Sequence, residues 1–186
     1  MTLITGDRPP PSFEFQTMLT NAADASSYTF TSVPLGTPKP FRHIICHVLG
    51  PTTTVSIGGV AATELVPATS IFGAHVPTGS TGTIVATGAS LRAIIAVYAV
   101  YGLKSLTPAD SFVTTAGNID VPAKGIVFAN AFSGSSSNIS WTGLTERGET
   151  TVEAFTLSTA ADVFPAGGTI TVGRSPSGNA YAVSLR

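Results

Sequence analysis

The sequence predicts an all-β chain, a β-sandwich or jelly roll of about 12–13 short antiparallel strands, and three observations predict it. From Tyr28 onward, runs rich in Val, Ile, Thr and aromatic residues alternate with breaks of Gly, Pro, Ser and Asn. No segment carries a sustained 3.6-residue apolar period with caps, and 22–26 and 106–111 offer single turns at most. The 186 residues include 19 Gly and 13 Pro with only 10% charged residues, a mixture that favours strands and turns over helices.

The elements follow in order. Residues 1–24 read as an extended N-terminal arm, because Pro9, Pro10 and Pro11 must run as polyproline II. Phe13 and Phe15 follow at alternate positions, with Met18 and Leu19 behind them. Such an arm buries little surface alone. It either lies along its own domain as an edge strand or docks on a neighbouring subunit, and the second use makes Pro9, Pro10, Pro11, Phe13 and Phe15 candidate assembly residues. Residues 25–186 read as one β-sandwich domain. Within it, strands are expected near 28–32, 42–49, 54–57, 60–65, 70–76, 82–87, 91–101, 111–115, 126–132, 139–145, 151–158, 169–173 and 179–185. The run AIIAVYAVYGL at 93–103 is apolar on both strand faces and should be a central strand covered on both sides. At 11 residues it is too short to cross a bilayer as a helix.

The order of signals repeats. Val33-Pro34 is followed by RHIICHV, TVSIGGVAATEL and GTIVATGASLRAIIAVYAV; Val121-Pro122 is followed by GIVFANAF, NISWTGLTERGE and GTITVGRSPSGNAYAVSL. Val55 to Ile139 and Gly59 to Gly143 are both 84 residues apart, and Ile84 to Ile170 and Val97 to Val183 both 86. These offsets predict an internal duplication with halves near 28–103 and 117–186, one half-sandwich per copy.

The stretch FRHIICHVLG at 41–50 holds two of the three histidines and the only cysteine. In a strand, His43, Ile45 and His47 share one face while Arg42, Ile44, Cys46 and Val48 share the other. Two histidines four residues apart on a strand are separated by roughly 13 Å, too far to share a metal ion. Cys46 points away from both, so no Cys–His nucleophile pair forms within this segment. These residues read as structural.

Other chemistry finds little footing. Glu146, Glu149 and Glu153 gather near Trp141 and Arg147, a pattern that could serve a glycosidase, but strand spacing sets Glu149 and Glu153 wider than such a pair needs. No nucleophile elbow, phosphate loop or clustered calcium ligands occur, and His75 in IFGAHVP has no identifiable catalytic partner in sequence. No cofactor is expected. The formal net charge of −1 gives no electrostatic footprint for nucleic acid or for an anionic membrane. A surface so poor in charge suits a chain covered by other subunits, and a homo-oligomer, such as a trimer, is expected.

Two resemblances add to this reading. TVSIGGVAATELVPATSIFGAHVPTGSTGTIVAT, running from Thr54 to Thr87, resembles the immunoglobulin-like IPT/TIG pattern, in which Gly-Gly-x-x-Ala-Thr and Val-Pro-x-Gly separate strands. The wider series YTFTSVPLGT, RHIICHV, VSIGGVAATEL, AIIAVYAVYGL, IDVPAKGIVFANAFSG and WTGLTER, over about 25–186, resembles small β-sandwich virion proteins of tailed bacteriophages. The resemblance implies a non-enzymatic virion structural protein, made in the host cytoplasm and bound to major capsid or tail proteins. A head decoration (cement) protein is the first expectation. A tail-fibre or baseplate adhesin that binds host glycan through Trp141 is the second, and a cell-surface glycan-active enzyme the third.

Overall fold

A computed structural model describes residues 10–186 apart from 50, 51, 53, 89–91, 136, 137 and 177. All regular structure in the described residues is β, in seventeen strands. The first half holds β1 (Ser12–Asn21), β2 (Ser27–Pro34), β3 (Arg42–Val48), β4 (Thr54–Ile57), β5 (Val60–Ala61), β6 (Thr63–Glu64), β7 (Ile71–His75), β8 (Thr81–Thr87) and β9 (Ala93–Tyr101). The second half holds β10 (Asp110–Thr114), β11 (Ala116–Val121), β12 (Gly125–Ser133), β13 (Ser140–Thr142), β14 (Glu146–Val152), β15 (Phe155–Phe164), β16 (Gly168–Ser175) and β17 (Ala180–Leu185).

Four antiparallel sheets result. The first half builds an inner sheet ordered β1-β9-β3-β7-β6 and an outer sheet ordered β2-β8-β4-β5. The second half builds an inner sheet ordered β10-β17-β12-β15-β14 and an outer sheet ordered β11-β16-β13. In each half the first strand lies beside the last and the second beside the next-to-last, which is jelly-roll order. The sequence suggested one half-sandwich per copy; the described strands instead give each half two sheets of its own.

Burial explains that difference. Ile44, Cys46, Val48, Val97 and Ala99 of the first inner sheet meet Tyr28, Ile57, Ile84 and Ala86 of its outer sheet. Val127, Ala129, Ala160 and Ala182 meet Ile119 and Val172 in the same way in the second half. The opposite faces of the two inner sheets then cover one another, with Ile45, Tyr98 and Val100 against Ile126, Phe128, Ala161, Val183 and Leu185. A four-layer stack therefore buries β9 along its whole length, as its two apolar faces require. Of the four offsets, the pair Val97 and Val183 breaks the face rule: Val97 faces its own outer sheet and Val183 faces the other half. A shift of one residue in a strand exchanges its faces.

Strand boundaries depart from expectation where turns lack Gly or Pro. The run expected at 60–65 splits into β5 and β6 on different sheets. The strand expected at 151–158 is cut after Val152, and Glu153 turns the chain with φ of 51°, a conformation usually left to glycine. The arm is a strand in its described part, since β1 pairs with β9 from Ser12↔Tyr101 to Asn21↔Ala93. Pro9 lies outside the described residues.

Candidate functional site

The first inner sheet ends in a shallow groove. The segment before β3 carries Pro38 and Pro40, which cannot donate to a ladder, so the chain turns there, with Arg42 N–H donating to Lys39 O at 3.0 Å. Arg42, fully buried, holds the turn from below. Its guanidinium donates to Val76 O (2.8 Å), Gly36 O (2.8 Å), Thr78 O (2.7 Å) and Gly79 O (2.7 Å), locking two loops to one side chain. A planar fork of donors can serve several carbonyls at once, which lysine cannot.

On this support lies a groove of about 430 Å³, lined by Pro10, Ser12, Lys39, Pro40, Phe41, Tyr101 and Gly102. Tyr101 O–H donates to Thr37 O at 3.1 Å, and Lys39 Nζ sits 4.4 Å from the centre of its ring. Burial, reinforced by the Glu14 carboxylate, pushes the Tyr101 phenol up, so it stays neutral as a donor. Phe41 stands on the rim with 58% of its surface exposed. The groove's lining is mainly aromatic and proline surface with one cation, Lys39. Sequence reasoning missed Phe41; the available signal was an aromatic residue set in a proline turn, outside any strand alternation.

The three histidines part company. His43 and His47 share a face of β3 as the alternation required, but His43 stands opposite His75 of β7, with ring centres 5.2 Å apart. His47 is fully buried between the inner sheets. Its Nδ1 lies 2.7 Å from Thr159 Oγ1, which also meets Tyr98 Oη at 2.6 Å and donates to Ala129 O at 3.2 Å. Burial lowers the His47 pKa to about 3, leaving a neutral imidazole. Cys46, on the other face, is buried in an apolar core that pushes its thiol up to about 12, so it is no thiolate nucleophile.

The three glutamates differ in their surroundings. Glu149 accepts from Ile139 N–H at 2.7 Å, and Glu153 at the β14–β15 turn pairs with Arg92, which also reaches Asp24 at 2.9 Å. Glu146 is pushed up by partial burial and then by Glu149. Trp141 is half-buried; its Nε1–H donates to Ser158 Oγ at 2.9 Å and its ring lies against the second half's core. Phe13 and Phe15 are half-buried between the inner sheets, Phe13 edge-on to Tyr98 and Phe128 at 5.9 and 5.7 Å. The Arg147 guanidinium covers the Phe13 ring at 5.1 Å. Of the candidate arm residues, the structure brings Pro10 to the groove and turns Phe13 and Phe15 inward. Among the described residues no three His, Cys, Asp or Glu side chains gather as metal ligands.

No protein-family model matches the chain, and comparison with curated proteins and with solved structures gave no significant match.

Proposed function

We propose that this chain is a non-enzymatic structural protein of a bacteriophage virion, and that it decorates the head by binding neighbouring capsid subunits. The observation that carries the reading is Phe41, 58% exposed beside a proline-lined groove at the end of the sheet where β1 begins. Exposed aromatic surface on a chain with 10% charged residues suits a face that other protein covers. The body behind it supports the same use, because a groove mounted on a four-layer β-stack is held rigid for docking. The two halves are proposed as copies of one unit. Their shared strand order supports this, as do Gly59 and Gly143, 84 residues apart and at φ of 81° and 80°.

Co-sedimentation of the purified chain with capsids assembled from the major capsid protein of the same genome tests the reading. Saturable binding by the wild type, reduced at least about tenfold by Phe41→Ser at unchanged melting temperature, is the expected result. Phe41 is the informative position because its side chain is mostly outside the core, whereas replacing Phe13 or Phe15 also disturbs packing between the halves. No binding by the wild type at any capsid ratio overturns the head-decoration reading.

A further inference from the structure

His43 and His75 lie directly across the β3–β7 ladder, a relationship that the sequence spacing of 32 residues does not announce. Directly opposed residues on one sheet face have Cβ atoms about 5 Å apart, so both side chains rise together from the same patch. Their ring centres are 5.2 Å apart and their planes inclined by 48°. Two imidazoles bound to one tetrahedral ion, each by a nitrogen about 2.1 Å away, place their ring centres about 5 Å apart. The observed spacing of the ring centres is compatible with that requirement.

A second observation concerns His75 alone. Its Nε2 lies 2.7 Å from Pro40 O. A carbonyl oxygen can only accept, so Nε2 carries the proton and the Nδ1 lone pair of neutral His75 faces away from that bond. A metal-bound histidine usually donates its remote N–H to a carbonyl or carboxylate in this way, which fixes the tautomer and orients the ring. His75 is exposed, so solvent reaches its side of the pair, whereas His43 is half-buried.

We propose that His43 and His75 form a two-imidazole chelate for a borderline divalent transition-metal ion of the Zn²⁺ or Ni²⁺ class, with water completing the coordination. Hard ions such as Mg²⁺ prefer oxygen ligands and are not expected there. The site adjoins the Phe41 groove, because Pro40 both lines that groove and accepts from His75. It does not depend on the virion assignment.

Calorimetric titration of the full chain with ZnCl₂ and NiCl₂ tests this, with MgCl₂ as the control. The expected result is one saturable site below roughly 1 mM, weakened at least about tenfold in His43→Gln and in His75→Gln. Imidazole nitrogen NMR on the wild type reads the same site without substitution: His43 and His75 resonances should move on adding Zn²⁺ while those of His47 stay fixed. No saturable binding overturns the proposal. So does binding that persists unchanged in both variants, or Zn²⁺ shifts that spare His43 and His75.

Discussion

Thr159 Oγ1 lies 2.7 Å from His47 Nδ1 and 2.6 Å from Tyr98 Oη, joining the two halves through a single hydroxyl. A hydroxyl has one proton and two lone pairs. With its proton on Ala129 O, Thr159 accepts from both Tyr98 O–H and His47 Nδ1–H. That arrangement uses the whole capacity of Thr159 and leaves His47 Nε2 as a bare acceptor. It is buried without a hydrogen-bond partner among the described residues.

Acid should therefore loosen the stack through His47. Its folded pKa is about 3, below the ordinary 6.5, because burial penalises the imidazolium. The unfolded chain takes up this proton near pH 6.5 and the folded chain only near pH 3, so stability rises with pH between those values. The contribution is complete above pH 6.5 and falls away as pH drops toward 3, by an amount on the order of 4 kcal/mol. Tyr98, Thr159 and Phe128 face the ring, and none of them offers a negative charge to relieve it. Urea unfolding at stepped pH should show this slope in the wild type and a flatter one in His47→Leu. Equal slopes in both would remove His47 as the cause.

Truncation of the arm should damage the body. Removing residues 1–24 takes β1 off β9, leaves a bare hydrophobic edge, and strips Phe13 and Phe15 from between the inner sheets. The milder change Phe13→Ala should cost about 2–3 kcal/mol, less than a fully buried phenylalanine because the ring is half-exposed. Light scattering and thermal melting check both. A shortened chain with the same oligomeric state and melting temperature as the full chain would show that β1 is dispensable.

Gly59 and Gly143 share a sequence offset and a backbone conformation but not surroundings. A Cβ at Gly143 would sit 2.0 Å from Thr171 O, whereas one at Gly59 meets nothing within 4 Å. Gly59→Ala should cost only the strain of a positive φ, about 1 kcal/mol. Gly143→Ala adds a backbone collision and should lose at least about 3 kcal/mol, or fail to fold. Denaturant midpoints for the two variants check this, and equal losses would contradict the close approach at Gly143.

The β class, the apolar central strand and the two faces of β3 were legible because each is a local property. Period-two alternation and turn composition say which side a residue takes, and β9 carries its double burial in its own sequence. What the local pattern could not give was the partner across each ladder. His75 and His43 are 32 residues apart, and only the β3–β7 register sets them opposite one another. Glu153 turned a chain that composition read as straight, since its positive φ is imposed by the hairpin around it. Phe41 fell just outside the strand expected at 42–49, and its place on the rim of a groove depends on segments distant in the chain.

The amino-acid pattern alone indicated many short antiparallel strands, the burial of both faces of the run at 93–103, and signals that recur at offsets of 84 and 86 residues. Only the tertiary structure decided that each half closes its own pair of sheets and that the inner sheets cover one another through Tyr98, Thr159 and His47. It also decided that Phe13 and Phe15 turn into that seam. The reason is physical: alternation fixes which side of a strand is apolar, but the identity of the covering surface depends on strand order and register. Those are set by contacts between residues far apart in the chain.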